Sequence, residues 1–412
     1  VHIAFAEESG AMANLDGRPP RGSASSDRGF VYVYDSLLSP ADVESKYRRF
    51  DALYSSEFTF YRRMLTDWSL RARSPESARL FYVPTWACYS LSNIAFNKNR
   101  GYLTDVVQRM TLSRPGFNET WTANKSAHIF FFAGDKGACS VGRGPIFLAH
   151  WGLTVPWKYM VHVPDGWSAP APSWEGRLDD QPCADGADVI VPPEVGKAEL
   201  IRPSPDRWEC ELFFAGAPNY TLGRSSACGD PLHAAGWQRC YAQGLRSLVF
   251  EHHGGRDRFC LLPSGQRHTY ELAKRSRFCL APSGEGFGNR LSLSMLAGCV
   301  PVIIQPHVLM PLHDTLPYRR FSLSFNRSEI PTLHTRLAAV SDAAHERMRR
   351  AVVEHAAAFS WHDGGARGTA YEHVRYSLCL RAGLPCHHLR PLSSHVNVTA
   401  ARAGALVPRA RR

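Results

Sequence analysis

The residues best suited to binding a phosphate lie in a glycine-rich turn between two apolar runs. The run 278–281 is typical of a strand, and the β-branched run 300–304 is typical of a second strand that follows a helix. The glycines between them would let backbone N–H groups approach an anion. They are Gly284, Gly286 and Gly288. A helix N-terminus after such a turn favours phosphate, and Arg290 would add a cationic fork in the first helical turn.

The spacing of this turn leaves two interpretations open. The turn lacks both the G-x-G-x-x-G spacing of dinucleotide-binding proteins and the Gly-Lys-Ser/Thr of a P-loop, so a plain strand-to-helix connection is the alternative to a phosphate site. Further polar residues would join a nucleotide site here. They are Ser276, Arg277, Glu285 and Asn289. Glu285 would accept hydrogen bonds from sugar hydroxyls or be a lone surface carboxylate, and Ser276 has an equally simple structural role at the strand entrance.

The segment 276–302 resembles the exostosin-type glycosyltransferases of family 47, whose hallmark is an S-x-FCL-x-P-x-G stretch, a downstream arginine and a GCVPV-like strand. Other family elements occur in the same order along the chain. They are VYVYD at 31–35, SPESARLFYVP at 74–84, HIFFF with DKG at 128–137, DVIVPP at 188–193 and LFFAG at 212–216. Six segments in one order are far more specific than one motif. Leu312-His313 depart from the family, which commonly has a phenylalanine and an acid there.

The resemblance implies an α/β fold of the GT-B type, in which two Rossmann-like domains face each other across a cleft. It also implies inversion at the sugar's anomeric carbon, which needs a general base and stabilisation of the departing diphosphate. Arg290 is the predicted diphosphate clamp. His128 and Asp135 match the family pattern and are the candidates for the base, expected at the carboxyl edge of the first sheet, where ligands gather. A core histidine and a turn aspartate are the alternatives.

Alternating strands and helical stretches predict parallel sheets flanked by helices. The predicted parts are a linker or stem over 1–29, an N-terminal acceptor-side domain over 30–205 and a C-terminal nucleotide-sugar domain over 206–350, followed by C-terminal helices over 351–390 and a basic tail over 391–412. The stretch 245–250 is predicted as part of the second domain. The stretch 258–265 nearly duplicates 277–284, and coincidence, a local duplication and an error in the gene model all remain open.

The charge and the cysteines bear on partners and compartment. A formal net charge of +11 suits nucleic acid, a membrane surface or an anionic ligand, and without a nucleic-acid-binding motif an anionic donor is preferred. Eleven cysteines favour a secretory lumen, although an odd count leaves at least one unpaired. Cys279 and Cys299 are predicted to be buried, unbonded thiols. The likelier disulfide partners are Cys139, Cys183, Cys210, Cys228, Cys240 and Cys260.

Five N-x-Ser/Thr sequons also favour a secretory lumen. They begin at Asn118, Asn124, Asn219, Asn326 and Asn397. No apolar run is long enough to span a bilayer, so a membrane anchor is expected outside these residues. The adjacent ligands of Cys386-His387-His388 do not predict a metal site, and no Asp-x-Asp occurs, so no obligatory cofactor is expected.

The resemblance to family 47, together with the sequons and cysteines, implies a Golgi-lumen glycosyltransferase, a type II membrane protein, that moves a hexose or pentose from a UDP-sugar to a polysaccharide or glycoprotein glycan. Its partners would be the UDP-sugar donor and the glycan acceptor, without nucleic acid. The resemblance also allows a homo- or hetero-oligomer with another glycosyltransferase. The alternative is a non-catalytic exostosin-like subunit that binds glycan or stabilises a catalytic partner. A basic glycan-binding module is a third interpretation.

Overall fold

The computed structural model describes residues 29–39, 41–43, 45, 52–87, 101–156, 181–195, 207–218, 241–264, 269–284, 286–362 and 367–391. Several predictions lie outside the described residues. They concern Glu285, Asn219, Asn397, Cys228, Cys240, the stem over 1–28 and the tail over 392–412. Among the described helices, none is long and apolar enough to cross a membrane.

The described strands form two five-stranded parallel sheets and one two-stranded ribbon. The strands are β1 (Val31–Val33), β2 (Leu80–Tyr82), β3 (His128–Phe132), β4 (Ile146–Ala149), β5 (Gly152–Leu153), β6 (Val189–Ile190), β7 (Cys210–Ala215), β8 (Phe259–Leu262), β9 (Ser276–Pro282), β10 (Val300–Ile304), β11 (Val308–Leu309) and β12 (Leu323–Ser324). The first sheet has the order β1-β2-β3-β4-β6 and the second β12-β10-β9-β7-β8. The strands that are buried along their whole length, such as β3 and β10, are the near-continuous apolar runs that covered parallel sheets require.

Helices connect and cover these strands. They are α1 (Ser56–Thr66), α2 (Tyr102–Ser113), α3 (Phe117–Ala123), α4 (Leu245–His253), α5 (Thr269–Lys274), α6 (Arg290–Ala297), α7 (Tyr318–Phe321), α8 (Leu333–Ala338), α9 (Asp342–His355) and α10 (Ala370–Arg381). The stretch 245–250, which the sequence analysis assigns to the second domain without a secondary structure, forms the first two thirds of α4. Leu245 and Val249 are four residues apart and both buried, which is helical spacing, and Gly244 begins the turn with a positive φ of 68°.

The second sheet changes direction beside β7. The chain passes from β7 through α4 to β8 on one side of β7, and then crosses to β9 on the other side. Because α4 packs on the Phe214 face (Phe214 and Phe250 rings 6.1 Å apart) and α5 on the opposite, Cys279 face, the helices cover both sides. Neighbouring strands whose connections leave to opposite faces open a crevice at their carboxyl ends. The fold therefore predicts a ligand site beyond the ends of β7 and β9.

The near-duplicated stretches form strands on either side of β7, in the same register. Leu212 pairs with Phe259 of the first copy and with Phe278 of the second. The first copy forms β8, at the edge of the sheet, and its Pro263-Ser264 turn is exposed, whereas Ser283 and Gly284 of the second copy are buried. Only the second copy therefore ends inside the crevice.

Four disulfides connect described residues. Cys139–Cys183 and Cys210–Cys260 join cysteines that the sequence predicts to be bonded. The prediction that Cys279 and Cys299 are free thiols was wrong, because β9 and β10 are neighbours and these two residues are bonded to each other. Cys379–Cys386 ties the end of α10 to the segment that follows it.

The carboxyl edges of the two sheets face each other, and the chain crosses between the domains more than once. β5 of the first domain pairs antiparallel with β11 of the second. Leu312 N–H of the second domain donates to the carbonyl of Ile190, the last residue of β6, at 2.7 Å. After the second domain the chain returns, and α10 packs on α1, where the Tyr371 hydroxyl donates to Asp67 Oδ2 at 3.0 Å. Two parallel-sheet domains facing across a cleft confirm the α/β prediction and its GT-B arrangement.

Three buried histidines should lower the free energy of unfolding in acid. Burial lowers the pKa of His128 to about 4, and that of His150 and of His373 to about 3, from an ordinary 6.5. Between pH 6.5 and 4 the unfolded chain binds these protons and the native chain does not, so stability falls with falling pH by roughly 1 kcal/mol per pH unit for each histidine. Urea unfolding at several pH values measures this slope.

The His128→Phe variant isolates one of these contributions. The His128 ring stacks on Phe81 at 5.0 Å, so a phenyl ring preserves the packing while removing the titrating group. We expect a shallower acid slope in this variant, by the share of one histidine. An unchanged slope would show that His128 does not contribute to acid lability.

Candidate active site

The glycine loop after β9 folds back on the end of its own strand. A Cβ on Gly284 would lie 2.6 Å from the Phe287 carbonyl oxygen, and one on Gly288 would lie 2.4 Å from that of Pro282. Both distances are shorter than a side chain allows, so the loop depends on glycine at these positions. The turn delivers the chain directly into α6, whose first residue is Arg290.

The tip of this loop touches the first domain. A Cβ on Gly286 would lie 1.7 Å from the Asp135 carbonyl oxygen, which in turn accepts a hydrogen bond from Phe287 N–H at 3.1 Å. Asp135 lies in the loop that follows β3, at the carboxyl edge of the first sheet. The structure therefore brings two of the predicted site regions together, across the cleft between the domains.

The Asp135 carboxylate is held from the first domain. The Tyr54 hydroxyl donates to Asp135 Oδ1 at 2.8 Å, and the Tyr54 ring meets the edge of Phe287 at 6.2 Å. Asp135 is partly exposed. A carboxylate oriented by a hydroxyl group at a domain cleft is a geometry suited to a general base.

His150 lies on the other side of Phe287 and has a different character. Its ring is 4.8 Å from the Phe287 ring, and its Nε2 shares a 2.6 Å hydrogen bond with Ser56 Oγ. Burial keeps the pKa of His150 at about 3, so the ring is neutral near neutral pH. His150 therefore packs the domain contact beneath the loop.

Removing the Tyr54 hydroxyl tests whether Tyr54 positions Asp135. Tyr54→Phe keeps the ring against Phe287 but deletes the 2.8 Å hydrogen bond. We expect about a tenfold loss of kcat, the order of one hydrogen bond to a charged group, and a shift of the acidic limb of the pH–rate profile. A variant with the wild-type pH profile would show that Tyr54 only packs.

Arg290 and Asn289 stand at the entrance of α6. Arg290 is half-buried, and its Nη1 donates to Asn289 Oδ1 at 3.1 Å. The Asn289 side chain makes no capping hydrogen bond to the helix. The positive end of the α6 dipole and Arg290 thus come directly after the glycine loop.

Arg246 is a site residue that the sequence analysis missed. It lies at the start of α4 and is 5% exposed. Its Nε donates to the Ser283 carbonyl at 3.0 Å, its guanidinium lies over the Phe214 ring at 5.2 Å, and its Nη2 is 3.8 Å from the position of a Cβ on Gly284. A buried arginine between the ends of β7 and β9 occupies the crevice that the change of direction creates. The helical spacing of 245–249 was the signal that could have found it.

Two of the residues predicted to bind the nucleotide-sugar lie at the amino end of β9, whereas the glycine loop follows its carboxyl end. Ser276 begins β9, and its Oγ donates to the Leu272 carbonyl at 2.6 Å. Arg277 pairs with Glu211 at 2.7 Å. Because β9 is seven residues long, both residues lie about 20 Å from the glycine loop. This distance does not fit their prediction as nucleotide-sugar ligands.

His128 likewise lies at the amino end of β3, so its predicted position at the carboxyl edge was wrong. It is fully buried, with its Nδ1 3.0 Å from the Asn124 carbonyl oxygen. The interpretation as a core histidine fits this environment, and Asp135 alone of the two base candidates faces the cleft.

The sequon asparagines within the described residues lie at the surface, where glycosylation requires them. They are Asn118, Asn124 and Asn326. Their glycosylation stays a prediction.

Comparison with known proteins identifies the family. The model of the Exostosin GT47 domain matches residues 25–340, which is more than half of the chain. The chain belongs to the exostosin GT47 family. This membership confirms the resemblance drawn from the six sequence segments.

Relatives of this exostosin-family chain carry glycosyltransferase names. A probable glucuronoxylan glucuronosyltransferase of Arabidopsis thaliana is 26% identical over 340 residues, covering 77% of this chain and 66% of the relative. A probable glucuronosyltransferase of Oryza sativa subsp. japonica is 24% identical, covering 74% and 67%. A probable beta-1,4-xylosyltransferase of Arabidopsis thaliana is 25% identical, covering 76% and 70%. The chain thus spans about two thirds of the length of these relatives.

The described part of this exostosin-family chain contains no group of three or more His, Cys, Asp or Glu side chains arranged to hold a metal ion. Two guanidinium groups lie beside the glycine loop, those of Arg246 and Arg290. Charge stabilisation at this loop can therefore be supplied by protein side chains.

Proposed function

We propose that this exostosin GT47 protein is an inverting glycosyltransferase that moves a sugar from a UDP-sugar to a glycan hydroxyl. One observation carries the proposal: the glycine loop that reaches Asp135 across the cleft, with Asp135 on one side of the cleft and Arg246 and Arg290 on the other. A base and a diphosphate site on opposite walls are what a single displacement at the anomeric carbon requires.

The proposed reaction divides between the two walls. The oxygen of the acceptor hydroxyl attacks the anomeric carbon while the Asp135 carboxylate takes the hydroxyl proton. Tyr54 holds that carboxylate in place. The bond to the diphosphate breaks on the opposite face of the sugar, which inverts the configuration. Arg246, Arg290 and the first N–H groups of α6 stabilise the charge of the departing UDP.

The names of the relatives suggest the substrates. They are described as glucuronosyltransferases and as a xylosyltransferase, so glucuronic acid and xylose are the first donors to test, with a polysaccharide as acceptor. A secretory-pathway location, specifically the Golgi lumen, is proposed on the surface sequons and on the four disulfides among the described residues.

Release of UDP tests the proposal. The secreted, glycosylated protein is incubated with UDP-glucuronic acid, UDP-xylose, UDP-galactose, UDP-arabinose and UDP-N-acetylglucosamine, with and without cell-wall oligosaccharides. We expect turnover of one donor and a loss of at least a hundredfold in Arg290→Ala, the order of one lost transition-state contact. Arg350→Ala, at an exposed arginine of α9, is the matched control. Full activity in Arg290→Ala would exclude Arg290 as the diphosphate clamp.

A non-catalytic subunit is the second candidate, and one observation favours it. Leu312 and His313 replace the phenylalanine and acid that the family commonly has, at the point where the second domain contacts β6. Leu312 is fully buried, and its backbone has a left-handed conformation with a φ of 54°. If the protein binds UDP but turns over none of the donors, the non-catalytic subunit is the better description.

A further inference from the structure

A cavity with a volume of about 230 Å³ lies between α10 and the segment that follows it. Four basic side chains, one carboxylate and two apolar residues line it. These are Arg367, Arg375, His388 and Arg390, with Glu372, Leu389 and Pro391. The donor site described above uses none of these residues.

The walls of this cavity are held in place. After α10 the chain turns at Gly383, which has φ of 68°, and the Cys379–Cys386 disulfide ties the returning segment to the helix. Leu389 and Pro391 of that segment are buried, so the segment is packed against the protein. The arginines that flank it are therefore presented by a fixed framework, which lowers the entropy lost on binding.

The lining of the cavity carries three guanidinium groups and one carboxylate, so its net charge favours an anion. Glu372 also lines it, but its Oε2 accepts hydrogen bonds from Gly368 N–H and from Thr369 N–H, so this carboxylate caps α10. Arg375 is held by Asp67 at 3.1 Å and by Ser69 Oγ at 2.9 Å.

Arg367 and Arg390 lie at the exposed rim of the cavity. Guanidinium forks match planar carboxylates in a two-point geometry, and the apolar floor suits the carbon face of a sugar ring.

The position of the cavity relates it to the acceptor side. Tyr371 of α10 contacts Phe60 of α1, with ring centroids 6.0 Å apart, and Arg375 contacts Asp67 at the end of α1. At its opposite end α1 begins with Ser56, whose hydroxyl group shares a hydrogen bond with His150 beside the glycine loop. Because α1 has 11 residues, the cavity and the cleft are about 16 Å apart along the first domain.

We propose that this cavity binds a carboxylate-bearing sugar unit of the acceptor glycan, several units behind the reacting end. The identification of that glycan as the acceptor rests on the proposed function, whereas binding of an acidic glycan does not. The cavity would then select acceptors that carry uronic acid units, and it would do so without contact with the donor.

Calorimetric titration of the glycosylated protein with tetragalacturonate tests the proposal. The methyl-esterified tetramer has the same chain without its charges, and inorganic phosphate tests for a small-anion site. We expect at least tenfold weaker binding of the ester, and at least tenfold weaker binding of tetragalacturonate by the Arg367→Ala/Arg390→Ala double variant. Arg350→Ala should bind like the wild type. UDP binding should be equal in all variants.

Three outcomes would overturn the proposal: equal binding of the acid and its ester, phosphate binding as tight as that of the tetramer, or an equal loss in Arg350→Ala. Failure of the proposed function has a different signature, since a protein that cannot bind UDP or release it from any donor can still bind tetragalacturonate through the cavity.

Discussion

Arg246→Ala is expected to weaken UDP binding by about a hundredfold. Arg246 is the buried cation at the crevice between β7 and β9, beside the backbone of Ser283 and Gly284. A charge-assisted contact in such a place is worth about 2–3 kcal/mol. Arg246→Lys keeps the charge but loses the two-point geometry, so we expect an intermediate affinity. Calorimetric titration with UDP measures the affinity of the wild type and of both variants.

Arg277→Ala is the matched control for this experiment. Arg277 is also buried and also contacts a backbone carbonyl and an aromatic ring, but at the amino end of the same sheet. Both variants should lower the unfolding temperature, because each leaves buried acceptors unpaired. Only Arg246→Ala should lose UDP affinity. If Arg277→Ala weakens UDP binding as much, the donor site is not at the carboxyl edge.

Gly286→Ala is expected to reduce kcat by more than a hundredfold. The new methyl group would lie 1.7 Å from the Asp135 carbonyl oxygen, so the loop and the first domain must move apart. A displacement of about 1 Å at a reacting centre is enough for such a loss. Because Arg246 and Arg290 remain in place, UDP binding should fall less than tenfold. Steady-state kinetics with the active donor, beside UDP titration, separates the two effects.

A glycine in open space provides the comparison for this variant. Gly255, in the turn after α4, has no atom within 4 Å of an added Cβ. Gly255→Ala should keep wild-type kcat and stability. Full activity in Gly286→Ala would mean that the contact between the glycine loop and Asp135 is not part of the catalytic state.

The sequence predicted the strands and the glycine loop because both depend on local patterns. Long apolar runs such as 128–132 and 300–304 became buried strands, and the Pro/Gly-rich turn after β9 became the loop that faces the cleft. The short run 245–250 was not assigned to a helix, since six mostly apolar residues fit a strand or a helix equally well. Because the helix was not identified, Arg246 in its first turn was not predicted as a site residue.

The other differences come from long-range geometry. Ser276 and Gly284 are close in sequence, but a fully extended strand separates them, so a motif read as one unit was divided between two ends of a sheet. The contact of Asp135 with Gly286 joins residues of different domains. The Cys279–Cys299 bond follows from the pairing of β9 with β10, and the sequence alone does not specify that pairing.

The repeated strand sequence on both sides of β7 has a consequence for how the chain reaches its native state. β8 and β9 pair the same Phe-Cys dipeptide with Leu212 and Phe213 of β7, so exchanging the two strands would satisfy part of the same backbone pairing. Such near-equivalence is a local source of frustration on the folding landscape. Each copy contributes its cysteine to a different partner, Cys260 to Cys210 and Cys279 to Cys299. Once formed, these two disulfides hold both copies in the native strand order, in which the glycine loop lies at the crevice.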